Sequence, residues 1–271
     1  MKKSWLWQKT VIITGAGSGF GKMLAEKLVK RFDCKVIGIG RTEKKLSDVK
    51  SALGDKFDYA VFDVGVEQNW MHFALKTEQS GVIPDILINN AGVLPHFCKF
   101  SLESGCEIEK VFATNFYASA YSFKHLFPLI KKSRTPAIIN VSSSACLAQV
   151  TSTAAYSASK SALASFTKII ALENPDAYVC LVMPGFSDTN IFRDQNTGDK
   201  KQAALIKKVC ASPDKITDKL LKKIERKKKR AVLGADAKAM HFFGKLFPSL
   251  TDKAIRAVLK KSGLEVFKDV F

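Results

Sequence analysis

The segment Ala155-Tyr156-Ser157-Ala158-Ser159-Lys160 sets a phenol and an ammonium four residues apart. On a helix, residues at that spacing share a face. A free phenol titrates near ~10, too high for an efficient proton shuttle at neutral pH. An ammonium held beside it favours the phenolate, because an opposite charge stabilises the ionised form. The spacing is therefore one way to build a tyrosine acid/base. Its plain alternative is an aromatic ring packed on a lysine stem, and only further residues separate the two.

Such a pair needs a frame, and the start of the chain supplies one. The apolar run Val11-Ile12-Ile13 leads into Thr14-Gly15-Ala16-Gly17-Ser18-Gly19-Phe20-Gly21, then into a helical pattern with Met23, Leu24, Leu28 and Val29 apolar. Strand, glycine turn, helix is the context that gives a glycine motif meaning. The glycines let backbone approach a pyrophosphate, and the helix N-terminus offers that anion unpaired N–H groups and a favourable dipole.

Thr14-Gly15-x-x-x-Gly19-x-Gly21, Asn89-Asn90-Ala91-Gly92, Ser143, Tyr156-x-x-x-Lys160 and Pro184-Gly185 follow one another in an order that resembles the short-chain dehydrogenase/reductase family over roughly residues 8 to 190. The resemblance implies a doubly wound parallel sheet in the order 3-2-1-4-5-6-7, a nicotinamide cofactor and carbonyl/alcohol interconversion. It selects Ser143, thirteen residues before the tyrosine, from the triplet Ser142-Ser143-Ser144, and matches Asn115 to a helix asparagine. In the implied mechanism Tyr156 gives the proton and Ser143 positions the substrate oxygen. Lys160 lowers the tyrosine pKa and contacts the nicotinamide ribose, and Asn115 holds a water of the proton relay. Cofactor contacts are implied at Gly15, Ser18, Gly19, Phe20, Gly21, Arg41, Asp63, Val64, Asn90, Ala91, Gly92, Tyr156, Lys160, Pro184, Gly185 and Thr189.

Cofactor choice is readable at the end of the second strand. A fold that prefers NAD usually carries an acid about 20 residues past the glycine motif, on the ribose 2′-hydroxyl. Here Val36-Ile37-Gly38-Ile39-Gly40-Arg41-Thr42 holds no acid. A guanidinium offers a planar donor fork to a phosphate, so Arg41, with weaker help from Lys44 or Lys45, favours NADP over NAD.

Apolar runs at 10–14, 35–39, 58–62, 85–88, 136–141, 177–183 and 231–233 read as strands. Helical patterns fill 20–31, 43–52, 67–78, 102–132, 154–172 and 213–229. This alternation predicts an α/β fold with a seven-stranded parallel sheet covered on both faces. All 271 residues then form a single domain, variable from about 190 onward and ending in a basic helical tail. Ser212 and Pro213 are placed to start a helix. The six cysteines and four histidines show no disulfide or metal spacing, and His96 lies in the loop after the Asn-Asn-Ala-Gly segment. Free thiols, no signal-like leader and no run of ~20 apolar residues predict a cytoplasmic protein without a metal. Trp5 and Trp7 are expected to pack beside the first strand.

Net charge is +18, and residues 200–271 carry 20 Lys/Arg against 7 Asp/Glu. A basic surface attracts nucleic acid, anionic lipid or an acidic carrier. With Leu220, Leu221 and Ile224 forming an apolar face, the run Lys222–Arg230 reads as the solvated side of a helix, and no nucleic-acid motif accompanies it. Phe242, Phe243, Leu246, Phe247 and Leu250 cluster around Pro248, before an amphipathic helix at 252–261 with Ile255, Val258 and Leu259. That tail fits a pocket roof, a subunit seal or a bilayer contact.

The expectation is an NADP-dependent oxidoreductase acting on an apolar ketone or secondary alcohol, as a homodimer or homotetramer. One alternative is a β-ketoacyl-carrier reductase, whose acidic partner suits the basic surface. The other is a non-catalytic binding protein that uses its basic tail on anionic lipid or nucleic acid. The complete set Asn115, Ser143, Tyr156 and Lys160 argues against the latter, because a binder has no need of it.

Overall fold

The computed structural model describes residues 4–186, 212–262 and 270. In chain order its main elements are β1 (Thr10–Thr14), α1 (Gly19–Phe32), β2 (Lys35–Gly40), α2 (Glu43–Leu53), β3 (Phe57–Val61), α3 (Glu67–Gln79), β4 (Ile86–Asn89), α4 (Gly105–Phe112), α5 (Ala118–Ile130), β5 (Ala137–Val141), α6 (Ala154–Glu173), β6 (Tyr178–Pro184), α7 (Pro213–Glu225), β7 (Arg230–Leu233), α8 (Ala235–Leu246) and α9 (Pro248–Lys261). The strands form one parallel sheet in the order β3-β2-β1-β4-β5-β6-β7. Ile12 pairs with Ile37 on one side and Leu87 on the other, so β1 is the point from which the strand order runs both ways. Open α/β sheets place ligands beyond the carboxyl ends of the strands at such a point.

Side-chain alternation explains why both faces are covered. Val11, Ile13, Ile86, Ile88 and Ile139 enter one core with Leu24 and Leu28 of α1 and Leu220, Leu221 and Ile224 of α7. Ile12, Leu87, Ile138 and Val179 enter the other with Trp70, Leu126, Ile130 and Ile170. Each fully buried aliphatic side chain contributes roughly 1.5–3 kcal/mol, and a strand that feeds both layers cannot shift by one residue without exchanging them.

Four local readings are corrected. The helix expected over 102–132 is three pieces. A capping box, in which Ser104 and Glu107 satisfy each other's backbone amides, starts α4. A π-helical turn, Ala113–Tyr117, then separates α4 from α5. Helix α7 stops at Glu225, not 229. Lys227 turns left-handed (φ 47°), while Lys228 N donates to Lys223 O and Lys227 N to Ile224 O, which closes the last turn. Pro213 occupies the first turn of α7 as expected, but the Ser212 side chain makes no capping bond. Helix α9 begins at Pro248, four residues before the apolar pattern suggests.

Trp5 packs on the core layer that holds Val11, and its indole Nε1 donates to Ile224 O (3.2 Å) and Glu225 O (3.1 Å) at the end of α7. It meets Tyr178 edge-on and carries the Lys227 ammonium over its ring. The rest of the run from Lys222 to Arg230, apart from the buried Ile224 and half-buried Glu225, is exposed. Cys34, Cys98, Cys106, Cys146 and Cys180 are free thiols, and Cys210 lies outside the described residues. Burial pushes the Cys34 and Cys180 thiols up to about 11. Among the described residues no acid, histidine and cysteine group could hold a metal ion, and no helix is long and apolar enough to cross a membrane.

Candidate active site

The carboxyl ends of β1, β4, β5 and β6 open into one cleft of about 1090 Å³, part of it open to solvent. At its floor the glycine turn bends through positive φ at Gly15 and Gly19. Gly21, in the first turn of α1, lies so close beneath the turn that a Cβ there would collide with the Gly15 carbonyl and come within 2.7 Å of Asn90 Nδ2. Thr14 locks the turn to the next loop. Its hydroxyl accepts from the Asn90 and Ala91 amides (2.9 Å each), and its carbonyl accepts from Asn90 Nδ2 (3.0 Å). The α1 cap residue, Ser18, makes no side-chain capping bond. A Cβ-free backbone cradle at an uncapped helix N-terminus, open to the cleft, fits the pyrophosphate of a dinucleotide.

The reactive side chains come from β5 and α6. Ser143 starts a short 3₁₀ turn, where its Oγ accepts from Ala145 N (3.2 Å), and it lines the cleft with the Tyr156 hydroxyl, whose ionised form it favours. Ser142 Oγ donates to Lys160 O (2.8 Å), and Lys160 Nζ donates to Val141 O (3.1 Å). These two bonds pin α6 to the end of β5. The Lys160 ammonium lies 5.9 Å from the Tyr156 ring centroid.

The electrostatics differ from the sequence expectation. Burial pushes the Tyr156 phenol above its ordinary value, and the Ser143 hydrogen bond opposes this without reversing it. Burial also pushes the Lys160 ammonium down, to about 8. Spacing alone predicts a lysine that lowers the phenol; in the folded protein desolvation sets the direction for both groups.

Asn115 is buried behind the cleft. It lies in the π turn with both amide hydrogens committed, to Val93 O (2.9 Å) and Ser159 Oγ (3.1 Å), while its Oδ1 accepts from Val93 N (2.8 Å). The side chain ties the loop after β4 to α6. Its Oδ1 and Lys160 Nζ flank Gly92, each slightly over 3 Å from where a Cβ would stand.

Of the residues singled out in the sequence, Gly15, Ser18, Gly19, Phe20, Asn90, Ala91, Gly92, Ser143, Tyr156, Lys160, Pro184 and Gly185 line this single cleft. Gly21 and Asn115 stand just behind its wall. Arg41, Asp63 and Val64 lie at the ends of β2 and β3, outside the cleft lining. Arg41 Nη1 is 3.7 Å from Asp63 Oδ2, both groups are about half exposed, and Asp63 Oδ1 accepts from Gly65 N. Val64 is buried, and its carbonyl accepts from Trp70 Nε1. Thr189 lies outside the described residues. His96 is exposed and does not line the cleft.

Leu94, Phe97, Val150 and Phe186 also line the cleft, without a sequence signal that marks them. Asp236 went equally unmarked. Its carboxylate accepts from Phe186 N (2.6 Å) and packs against Gly185, where a Cβ would collide with it. It fixes the backbone just after the Pro184-Gly185 pair. The walls above Tyr156 are apolar: Ala145, Ala148, Val150 and Met240 cluster with Leu147, Phe186 and, from α9, Ile255 and Leu259.

Known proteins with this arrangement are numerous. YxnA of Bacillus subtilis, an uncharacterized oxidoreductase, is 27% identical over 272 residues, which covers 97% of this chain and 75% of that one. The fold matches a short chain dehydrogenase from Burkholderia cenocepacia solved with NADP (TM-score 0.79, 22% identity, 92% of this chain and 98% of that one). It matches equally one from Burkholderia phymatum solved with NAD (TM-score 0.79, 21% identity, 92% and 96%). The family model for short chain dehydrogenases runs through residues 9–200, from β1 past the last cleft-lining strand, and this chain is an oxidoreductase of that family.

Proposed function

We propose that the protein is a single catalytic domain that interconverts an apolar ketone and a secondary alcohol with NADP. The observation that carries this reading is that Ser143, Tyr156 and Lys160 line the same cleft as the glycine cradle. A bound nicotinamide dinucleotide supplies or takes up the hydride. Ser143 donates a hydrogen bond to the substrate oxygen and holds it beside the Tyr156 hydroxyl. Tyr156, kept protonated by its burial, delivers its proton to that oxygen. Lys160 presents a buried positive charge that compensates the phenolate left behind, and Asn115 sets the distance between the Gly92 loop and α6. Leu94, Phe97, Val150 and Phe186 leave the substrate's body an apolar chamber, and that supports an apolar substrate over a sugar or an amino acid.

The preference for NADP rests on Arg41. It stands at the end of β2 with no carboxylate at that position, half exposed, and within reach of a group bound at the end of β3. Its weak contact with Asp63, at 3.7 Å, leaves the guanidinium available to a 2′-phosphate. The free thiols suit a reducing compartment such as the cytoplasm.

The deciding experiment follows nucleotide oxidation against a panel of apolar ketones with the wild type and Tyr156→Phe. The variant keeps the ring and loses the hydroxyl, so turnover falls by ~10²–10⁴-fold while nucleotide affinity is unchanged. Turnover within a few-fold of wild type removes Tyr156 from proton transfer and overturns the reading.

A further inference from the structure

Helices α8 and α9 have two faces. The inner one carries Met240, Ile255 and Leu259 onto the apolar wall above Tyr156, and Asp252 pins α9 by accepting from Gln149 N (2.9 Å). The outer one is exposed and apolar: Phe242, Phe243, Leu246, Phe247, Leu250 and Val258 are each half to two-thirds exposed. Five lysines stand exposed among them, Lys238, Lys245, Lys253, Lys260 and Lys261. The two acids of the hairpin, Asp236 and Asp252, both accept from backbone amides of the body. Along α9 the exposed positions 250, 253, 254, 257, 258 and 261 keep helical spacing and set Leu250, Ala254, Ala257 and Val258 beside Lys253 and Lys261.

We propose that this outer face docks on an anionic phospholipid bilayer, with the aromatic and leucine side chains inserted at the headgroup boundary and the lysines on the phosphates. Exposed apolar patches of this kind mark interaction surfaces, and helices that pair an apolar stripe with lysines lie in the lipid interface. The charge selects among occupants. A second copy of the chain brings the same lysines against these ones. A nucleic acid matches the charge and gives the phenyl rings no hydrocarbon to enter. An anionic bilayer satisfies both parts of the surface. The face lies on the back of helices that pack against the cleft residues Ala145, Val150, Tyr156 and Phe186, so docking turns that wall of the cleft toward the lipid. The inference does not depend on the reductase reading, because it is read by lipid binding.

The test is flotation of the full chain with phosphatidylcholine vesicles, with and without phosphatidylserine, at a salt concentration near 0.1 M, where the Debye length is ~10 Å. Binding is expected only with phosphatidylserine and is weakened by added salt. Each lysine near such a surface is worth roughly fivefold in partitioning, so Lys253→Glu/Lys260→Glu/Lys261→Glu reduces binding by at least tenfold. Phe242→Ser/Phe247→Ser/Leu250→Ser does the same through the apolar part, while its circular dichroism and urea unfolding midpoint stay at wild-type values. If that variant misfolds, the lysine variant alone decides. No flotation, equal flotation with both lipids, or vesicle binding that both variants retain overturns the proposal. So does a wild-type dimer that the triple serine variant converts to monomer, or binding to oligonucleotides in preference to the charged vesicles.

Discussion

Lys160→Met should leave the protein at least as stable at neutral pH, and inactive. The lysine is 4% exposed, and burial holds its ammonium at about 8 instead of 10.5. At about 1.36 kcal/mol per pH unit of that gap, the native state carries a penalty of about 3 kcal/mol at neutral pH. Methionine fills a similar volume without charge. It leaves the Val141 carbonyl without its Nζ donor, which costs ~1–3 kcal/mol. The expected net gain is roughly 0–2 kcal/mol at pH 7, or up to a few degrees in Tm for a chain of this size. The sign with pH follows from linkage. Between about 8 and 10.5 the unfolded lysine binds a proton that the native one has lost, so wild-type stability rises with pH across that window. The advantage of the methionine variant is full below pH 8 and has faded above 10.5. Urea unfolding of both proteins without nucleotide at pH 7 and pH 10 measures it. A variant less stable than wild type at pH 7, or a difference between the two proteins independent of pH, refutes the claim that Lys160 is held against its solvation.

Other perturbations test separate parts of the site. Wild type should bind NADPH at least tenfold more tightly than NADH, about 1.4 kcal/mol, and Arg41→Asp should narrow or reverse this in a fluorescence titration; equal wild-type affinities contradict the role of Arg41. Gly21→Ala forces a Cβ against the Gly15 carbonyl. It should weaken nucleotide binding by at least tenfold and leave Tyr156 in place, and unchanged affinity means the turn is more pliant than its contacts indicate. Asn140→Leu removes the centre of a buried polar chain in which Ser122 Oγ donates to Asn89 Oδ1, Asn89 Nδ2 to Asn140 Oδ1 and Asn140 Nδ2 to Thr167 Oγ1. The orphaned Asn89 amide should cost ~1–3 kcal/mol by denaturation, and a neutral result shows that the sheet absorbs the change.

The frame of this protein is legible because its signals are local and repeated. All seven strands fall within a residue or two of the apolar runs that mark them, and the glycine turn needs only its own residues to be recognised. The cleft assembles from those ends, so most of the motif residues meet there. What was not legible depends on distant partners. The π turn at Asn115 coincides with bonds to Val93 and Ser159, which no helical period records. The capping box at Ser104 and Glu107 is the exception, a local signal of two residues three apart. The phenol's upward shift follows from burial, which a four-residue spacing does not contain. Asp236 and the chain through Asn140 carry no motif, because their partners lie on other elements.

The Trp5 contact bears on how the protein is made. Its hydrogen-bond acceptors, Ile224 and Glu225, follow it by more than two hundred residues. During synthesis the amino-terminal tryptophan therefore waits, while six strands emerge, for the helix that receives it. Contacts of such long sequence separation form late and slow a fold's completion. The core layer that α7 covers stays open until then, so a ribosome-bound chain paused before residue 225 displays Leu24, Leu28 and the indole itself to the surrounding chaperones.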